Sequence, residues 1–176
     1  GVVGDYDDDL KAVVTGTRDK VAEKMADLRV ADSMTEIFNL FRRCNRYIDE
    51  TMPWVLAKDE ASKDRLATVL YNLVEGITIG ASLLSPYMPE TSEKIFAQLN
   101  TSMVEFDNLA TFGNYKSGTK VTEKPQILFA RLDEKEVMEK AKVLMEKQAA
   151  SVKAANAAVE EDTVIDIEPK DEITFD

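Results

Sequence analysis

The sequence predicts a mainly α fold: an antiparallel helix bundle, followed by a small β-hairpin and a C-terminal helix. Three observations carry this expectation. Apolar residues recur at helical spacing in four successive stretches between residues 7 and 99. The segments between those stretches are short, and several are marked by proline at positions 53, 86 and 89. Alternation of the kind a strand needs is confined to residues 120–132.

Each element has its own signal. A first helix is expected over residues 7–28, with Leu10, Val13, Val14, Val21, Met25 and Leu28 on one face. Asp7, Asp8 and Asp9 stand where the positive end of the helix dipole favours acids, and Gly16 is a weak point at which the element could break. A second helix is expected from Asp32 or Ser33, since Ser33 and Glu36 have capping-box spacing. Its stripe is Met34, Ile37, Phe38, Phe41, Cys44 and Ile48, and Pro53 ends it by Met52. Residues 53–61 form a connection. The third helix, 62–84, has the most regular stripe: Leu66, Val69, Leu70, Leu73, Val74, Ile77, Ala81 and Leu84. Gly76 and Gly80 lie on it four residues apart, which places them where a neighbouring helix comes close. Pro89 opens a fourth helix over 89–99. Lys120-Val121 and Ile127 to Leu132 are expected as two short strands joined around Pro125. The expected organisation is a bundle with its hairpin over 1–132, a helix packing back over 133–159, and an acidic linker over 160–176.

Composition narrows the chemistry. The chain has 176 residues, no His and a single Cys. A Ser-His-Asp or Cys-His catalytic pair and a His-ligated zinc are therefore excluded. A lone thiol, Cys44, excludes an internal disulfide and fits the reducing cytoplasm. It lies on an apolar stripe, where an inert buried thiol is expected. No uninterrupted run of about 18 apolar residues suggests a transmembrane helix. The net charge is -11, yet residues 10–132 hold equal numbers of acids and bases, and the excess acids lie at the two ends. Such a chain is not a general nucleic-acid sponge, although its neutral middle leaves room for one specific site. No Gly-rich phosphate loop occurs, so no cofactor is expected in this chain.

The densest constellation is Arg42-Arg43-Cys44-Asn45-Arg46-Tyr47-Ile48-Asp49-Glu50-Thr51-Met52-Pro53-Trp54. One reading is a single-stranded RNA reader. Trp54 then stacks an unpaired base, Pro53 presents the ring, the three arginines supply phosphate contacts and planar stacking, and Asn45 pairs with a base edge. Asn45 falls four residues after Phe41, on the apolar face. The other reading is structural: Trp54 plugs a helix corner, the arginines form a solvated face against Asp49 and Glu50, and Asn45 bonds backbone.

The strings "NRYIDETMPWVLAKDEA" (Asn45 to Ala61) and "LYNLVEGITIGASLLSPYMPETSEKIFAQL" (Leu70 to Leu99) resemble the anticodon-binding helix bundle of bacterial methionyl-tRNA synthetases. "TKVTEKPQILFARLD" (Thr119 to Asp133) is similar to the segment that follows that bundle in the family. The resemblance implies a class I synthetase anticodon-binding fold and a partner, the CAU anticodon loop of tRNA(Met). It also implies an upstream catalytic domain in the same polypeptide, which would use ATP and methionine. The nucleotide-binding signatures of that domain are missing from this sequence, so this chain alone is not expected to be an enzyme. The family's tryptophan role carries to Trp54, with Pro53 beside it; Asn45 matches a family Asn, and Arg42 and Arg46 follow by position. The family also reads the anticodon with an Asn and an Arg upstream of the segment matching Gly1. No DNA, membrane or metal partner is implied. A bundle that only docks on protein, through a stripe such as Val137, Ala141 and Leu144, remains the alternative.

Overall fold

A computed structural model describes residues 1–160, with side chains to residue 156. It contains six α-helices among these residues: α1 (Asp7–Ala26), α2 (Val30–Thr51), α3 (Pro53–Leu56), α4 (Lys63–Leu84), α5 (Pro89–Leu99) and α6 (Glu134–Glu160). Two 3-10 turns, Glu60–Ser62 and Phe106–Ala110, complete the regular structure. The chain divides into two compact units, Gly1–Leu128 and the part from Phe129 onward, which holds α6. The acidic stretch expected as a linker lies, apart from Glu160, outside the described residues.

In the first unit α1, α2 and α4 pack on one another and α5 packs on α4. The core is Leu10, Val14 and Val21 from α1, Ile37, Leu40, Cys44 and Tyr47 from α2, and Val69, Leu73, Ile79, Leu83 and Leu84 from α4. Glu60–Leu84 is, by length and composition alone, apolar enough to cross a membrane, although no uninterrupted apolar run of that length occurs in it. Its apolar side chains instead form the centre of this core, and 61% of the most apolar window is buried.

Helix α2 begins three residues before Ser33, so the expected capping box is not used. Ser33 is fully buried, donates to the Val30 carbonyl at 2.7 Å, and shares a 2.7 Å hydrogen bond with the Tyr87 hydroxyl. The buried face is accordingly rotated: Leu40 and Tyr47 are fully buried, whereas Met34, Phe38, Phe41 and Ile48 are half-buried. A tyrosine with a satisfied hydroxyl can occupy a core position that an apolar count overlooks.

Helix α1 runs unbroken through Gly16 and ends in a Schellman motif. Arg29 N–H reaches the Lys24 carbonyl at 2.8 Å, Leu28 N–H reaches Met25 at 3.0 Å, and Leu28 is left-handed at φ 58°.

The expected hairpin is absent; the described residues contain no strand. Residues 120–126 attach to α5 instead. Thr122 N–H donates to the Gln98 carbonyl at 2.8 Å. Gln126 N–H donates to Gln98 Oε1 at 2.9 Å, and Gln98 Nε2 returns a bond to the Gln126 carbonyl at 3.3 Å. One glutamine thus takes the backbone groups that a ladder would need, Pro125 offers no N–H, and Ile127 is 85% exposed rather than covered.

Two buried carboxylates tie the unit together. Asp7, with no exposed surface, accepts from both Arg65 Nη atoms at 2.6 and 2.7 Å, from Tyr47 Oη at 2.5 Å, and from Gly4 N–H at 3.1 Å. Asn72 Nδ2 in turn donates to Tyr47 Oη at 3.1 Å. Burial pushes the Asp7 carboxyl up, but the Arg65, Tyr47 and Gly4 hydrogen bonds outweigh it and hold the carboxyl at about 2. On α4, Glu75 is equally buried and accepts from Gly113 N–H at 2.8 Å, Asn114 N–H at 2.7 Å and Tyr115 N–H at 2.6 Å. It pins the loop after the second 3-10 turn.

Gly76 and Gly80 sit at close helix approaches, as their spacing implied. A Cβ at Gly80 would lie 2.6 Å from the Phe41 ring and 3.2 Å from Leu40 Cδ2; one at Gly76 would lie 3.0 Å from Cys44 Sγ. Around Gly16 nothing lies within 4 Å. Gly80→Ala should therefore lower stability by about 1–3 kcal/mol despite the better helix former, and Gly16→Ala should raise it by up to about 1 kcal/mol. Urea unfolding of the two variants checks both signs.

The Asp7 carboxyl is lower in the folded chain than its usual 3.8, so its stabilisation is present above that value and is lost as pH falls through about 2. The amount is about 2 kcal/mol. Asp7→Asn should cost about 3 kcal/mol at neutral pH, because Arg65 loses its counter-charge. It should also flatten the loss of stability between pH 4 and 2. Denaturant midpoints across that range test both effects.

Candidate nucleic-acid interface

The outward face of α2 lies opposite Ile37, Leu40, Cys44 and Tyr47. It carries Asn39, Arg42, Arg46 and Asp49, all exposed. These residues recur at intervals of three and four, so one strip of the helix presents them. Arg42 Nη1 donates to Asn39 Oδ1. Arg46 is 76% exposed in its side chain and, among the described residues, is held only through Nε, which donates to Glu50 Oε1 at 2.8 Å. Arg43, between them in sequence, belongs to the fold. Its side chain is 9% exposed, it pairs with Asp9 at 2.6 Å and Glu50 at 3.0 Å, and its guanidinium lies 5.9 Å from the centre of the Tyr47 ring.

Asn45 is exposed, not on the apolar face. It follows Cys44, but the 100° step per residue turns it away from the core. Its side chain has no hydrogen-bond partner among the described residues. Cys44 is buried, and burial pushes its thiol up to about 11, far from a reactive thiolate. The Tyr47 hydroxyl is likewise raised, by burial first and by the Asp7 carboxylate second.

The helix ends abruptly. Met52 takes the left-handed conformation, φ 45° and ψ 62°, while its N–H still reaches the Ile48 carbonyl at 2.9 Å. Pro53 then opens the single turn α3, where its missing N–H costs nothing. This turn is anchored on one side, since Leu56 packs against the core. On the other side it presents Trp54, 52% exposed, between the similarly exposed Met52 and Val55. Pro53 itself is half-buried. Trp54 is thus not a core plug; about half of the residue is exposed on a turn that Leu56 anchors.

The structure places Arg42, Asn45, Arg46, Pro53 and Trp54 on the C-terminal half of α2 and the turn that follows it. Sequence reasoning missed Asn39, Met52 and Val55 as neighbours and Glu50 as the link between two arginines. The spacings of three from Asn39 to Arg42 and four from Arg46 to Glu50 were the available signals. The chemistry offered is an exposed stacking surface on the turn, with exposed guanidinium groups and an amide on the helix that precedes it. No group of three or more metal-ligating side chains occurs among the described residues. An apolar cavity of about 400 Å³ lies elsewhere, lined by Val21, Met25, Tyr87, Met103 and Phe106 among others. Glu105 is the one charged residue in its lining, which suits neither phosphate nor a base edge.

The family described as the anticodon binding domain of methionyl tRNA ligase matches residues 1–149. Among curated proteins, a methionine–tRNA ligase of Clostridium tetani is 48% identical over 72% of this chain and 20% of its own length. That of Clostridium acetobutylicum is 37% identical over 95% of this chain and 26% of its own length. The Bacillus subtilis ligase is 35% identical over 100% of this chain and 26% of its own length. This chain therefore spans about a fifth to a quarter of these relatives. A solved structure of Mycobacterium tuberculosis methionyl-tRNA synthetase in complex with methionyl-adenylate is 28% identical. It aligns with a TM-score of 0.63 over 74% of this chain and 26% of the synthetase chain. Helices α1 to α5, their packing and the turn that presents Trp54 thus lie within a match to one family, and the chain belongs to the anticodon-binding domains of methionyl-tRNA ligases.

Proposed function

We propose that this chain recognises the CAU anticodon loop of tRNA(Met) by splaying an unpaired base onto Trp54. The observation that carries the reading is the half-exposed Trp54 ring on the turn braced by Pro53 and Leu56. Stacking on such a ring is tolerant of base identity, so specificity comes from edge contacts, which the exposed Asn45 amide makes in this reading. Arg42 and Arg46, on one strip of α2, meet phosphates of the same loop. The domain serves a larger polypeptide whose upstream catalytic domain joins methionine to its tRNA with ATP, in the cytoplasm. This chain itself holds no cofactor or metal in that scheme, and neither DNA nor membrane takes part.

Trp54→Ala tests the reading against the alternative of a bundle that only docks on protein. Removing a base–aromatic stack costs about 1–3 kcal/mol, so binding of a CAU stem-loop should weaken roughly 5- to 150-fold. The melting temperature should change little, because half of the ring is already in water. Arg46→Ala should lower the slope of log affinity against log salt by about 0.7. Anisotropy titrations of labelled RNA, alongside thermal unfolding, measure all three. Undiminished binding by Trp54→Ala would move the contact away from Trp54, and an affinity indifferent to the anticodon would leave the docking bundle as the better account.

A further inference from the structure

The acids at the end of α2 contradict the usual preference of helix termini. Asp49 and Glu50 lie in its last turn, where no basic residue is found and where the dipole disfavours negative charge. The pair Arg46–Glu50 also runs with the base N-terminal to the acid, the weaker order for spacing i,i+4. Glu50 therefore does not owe its place to helix stability. What it does is divide its carboxylate. Oε1 accepts from Arg46 Nε at 2.8 Å, while Oε2 lies 3.0 Å from Nη1 of the nearly buried Arg43. The second contact is a charge pairing without hydrogen-bond geometry. Glu50 is 15% exposed in its side chain and Arg46 76%, so a held anion grips the base of an outward-facing cation. Nη1 and Nη2 of Arg46 have no partner among the described residues.

We propose that Glu50 is a positioning residue of the RNA interface: it pins Nε of Arg46 and leaves the two Nη groups to a phosphate oxygen of the bound loop. This rests on the reading of Trp54 as the stacking surface. An unpinned arginine on the helix surface samples many rotamers and loses that freedom when it meets a phosphate. One held by Nε has already lost it. Glu50 in turn is held by Arg43, whose own contacts with Asp9 and the Tyr47 ring belong to the fold.

The test is a double-mutant cycle with the CAU stem-loop. Arg46→Ala and Glu50→Ala should each weaken binding roughly 3- to 10-fold, and the double variant should bind no worse than Arg46→Ala alone. Glu50→Gln keeps an acceptor for Nε and should recover affinity to within about twofold of the unmutated chain, which also guards against a fold lost through Arg43. Two results would overturn the proposal. One is unchanged or tighter binding by Glu50→Ala, which would make Glu50 only a repulsive charge. The other is an equal loss in the Arg46→Ala background, which would route its effect through the fold. If Trp54→Ala weakens binding while the cycle shows no coupling, only the role of Glu50 fails. If Trp54→Ala binds undiminished, the stacking reading fails and this inference with it.

Discussion

The buried carboxylate of Asp7 organises the N-terminal unit. It is taken out of water at the first turn of α1 and compensated there by Arg65 from α4 and Tyr47 from α2. Three helices thus meet at one anion. An isolated carboxylate in that place would be protonated or expelled; the bidentate guanidinium and the phenol keep it charged and hold its pKa at about 2. Apolar contacts alone are non-directional and would tolerate sliding of one helix along another. The fork geometry of Arg65 on Asp7 is far less tolerant, so it fixes the register in which the remaining core side chains interdigitate.

The same network reaches the surface through Tyr47. Its hydroxyl serves Asp7 inside, while its ring lies under Arg43, which pairs with Asp9 and Glu50. From Glu50 the chain of contacts passes to Arg46 at the water boundary. The outward-facing arginine is thereby connected to the core by ion pairs and one aromatic ring. One turn further, Met52 adopts a left-handed backbone that costs a non-glycine residue about 1–2 kcal/mol. It turns the chain so that Leu56 packs inward and Trp54 faces out.

The helices and their order were legible because an amphipathic period of 3.6 leaves a strong trace, above all along α4. The close approaches at Gly76 and Gly80 were legible for the same reason. The buried role of Asp7 was not, since three successive acids at a helix start look alike until one finds Arg65, 58 residues away. Ser33 misled by local pattern: its spacing to Glu36 fits a cap, yet the hydroxyl of Tyr87, 54 residues on, draws it into the core. The hairpin failed because alternation says nothing about where backbone groups find partners, and Gln98 supplied them. At the candidate site, Trp54 and Pro53 stood out in the sequence through the string that resembles the family. The exposure of Asn45 and the division of Glu50 between two arginines depend on helix rotation and side-chain reach, which one sequence does not print.

The central claim is that Trp54 meets a base. Trp54 is the one tryptophan of the chain, so its emission reports on that ring alone. The most direct measurement is its fluorescence during titration with a CAU stem-loop and with a loop of altered anticodon, at matched salt. Saturable quenching by the CAU loop, markedly weaker with the altered loop, is the result expected. Emission unchanged at concentrations where the RNA is bound would place the contact elsewhere and contradict the account.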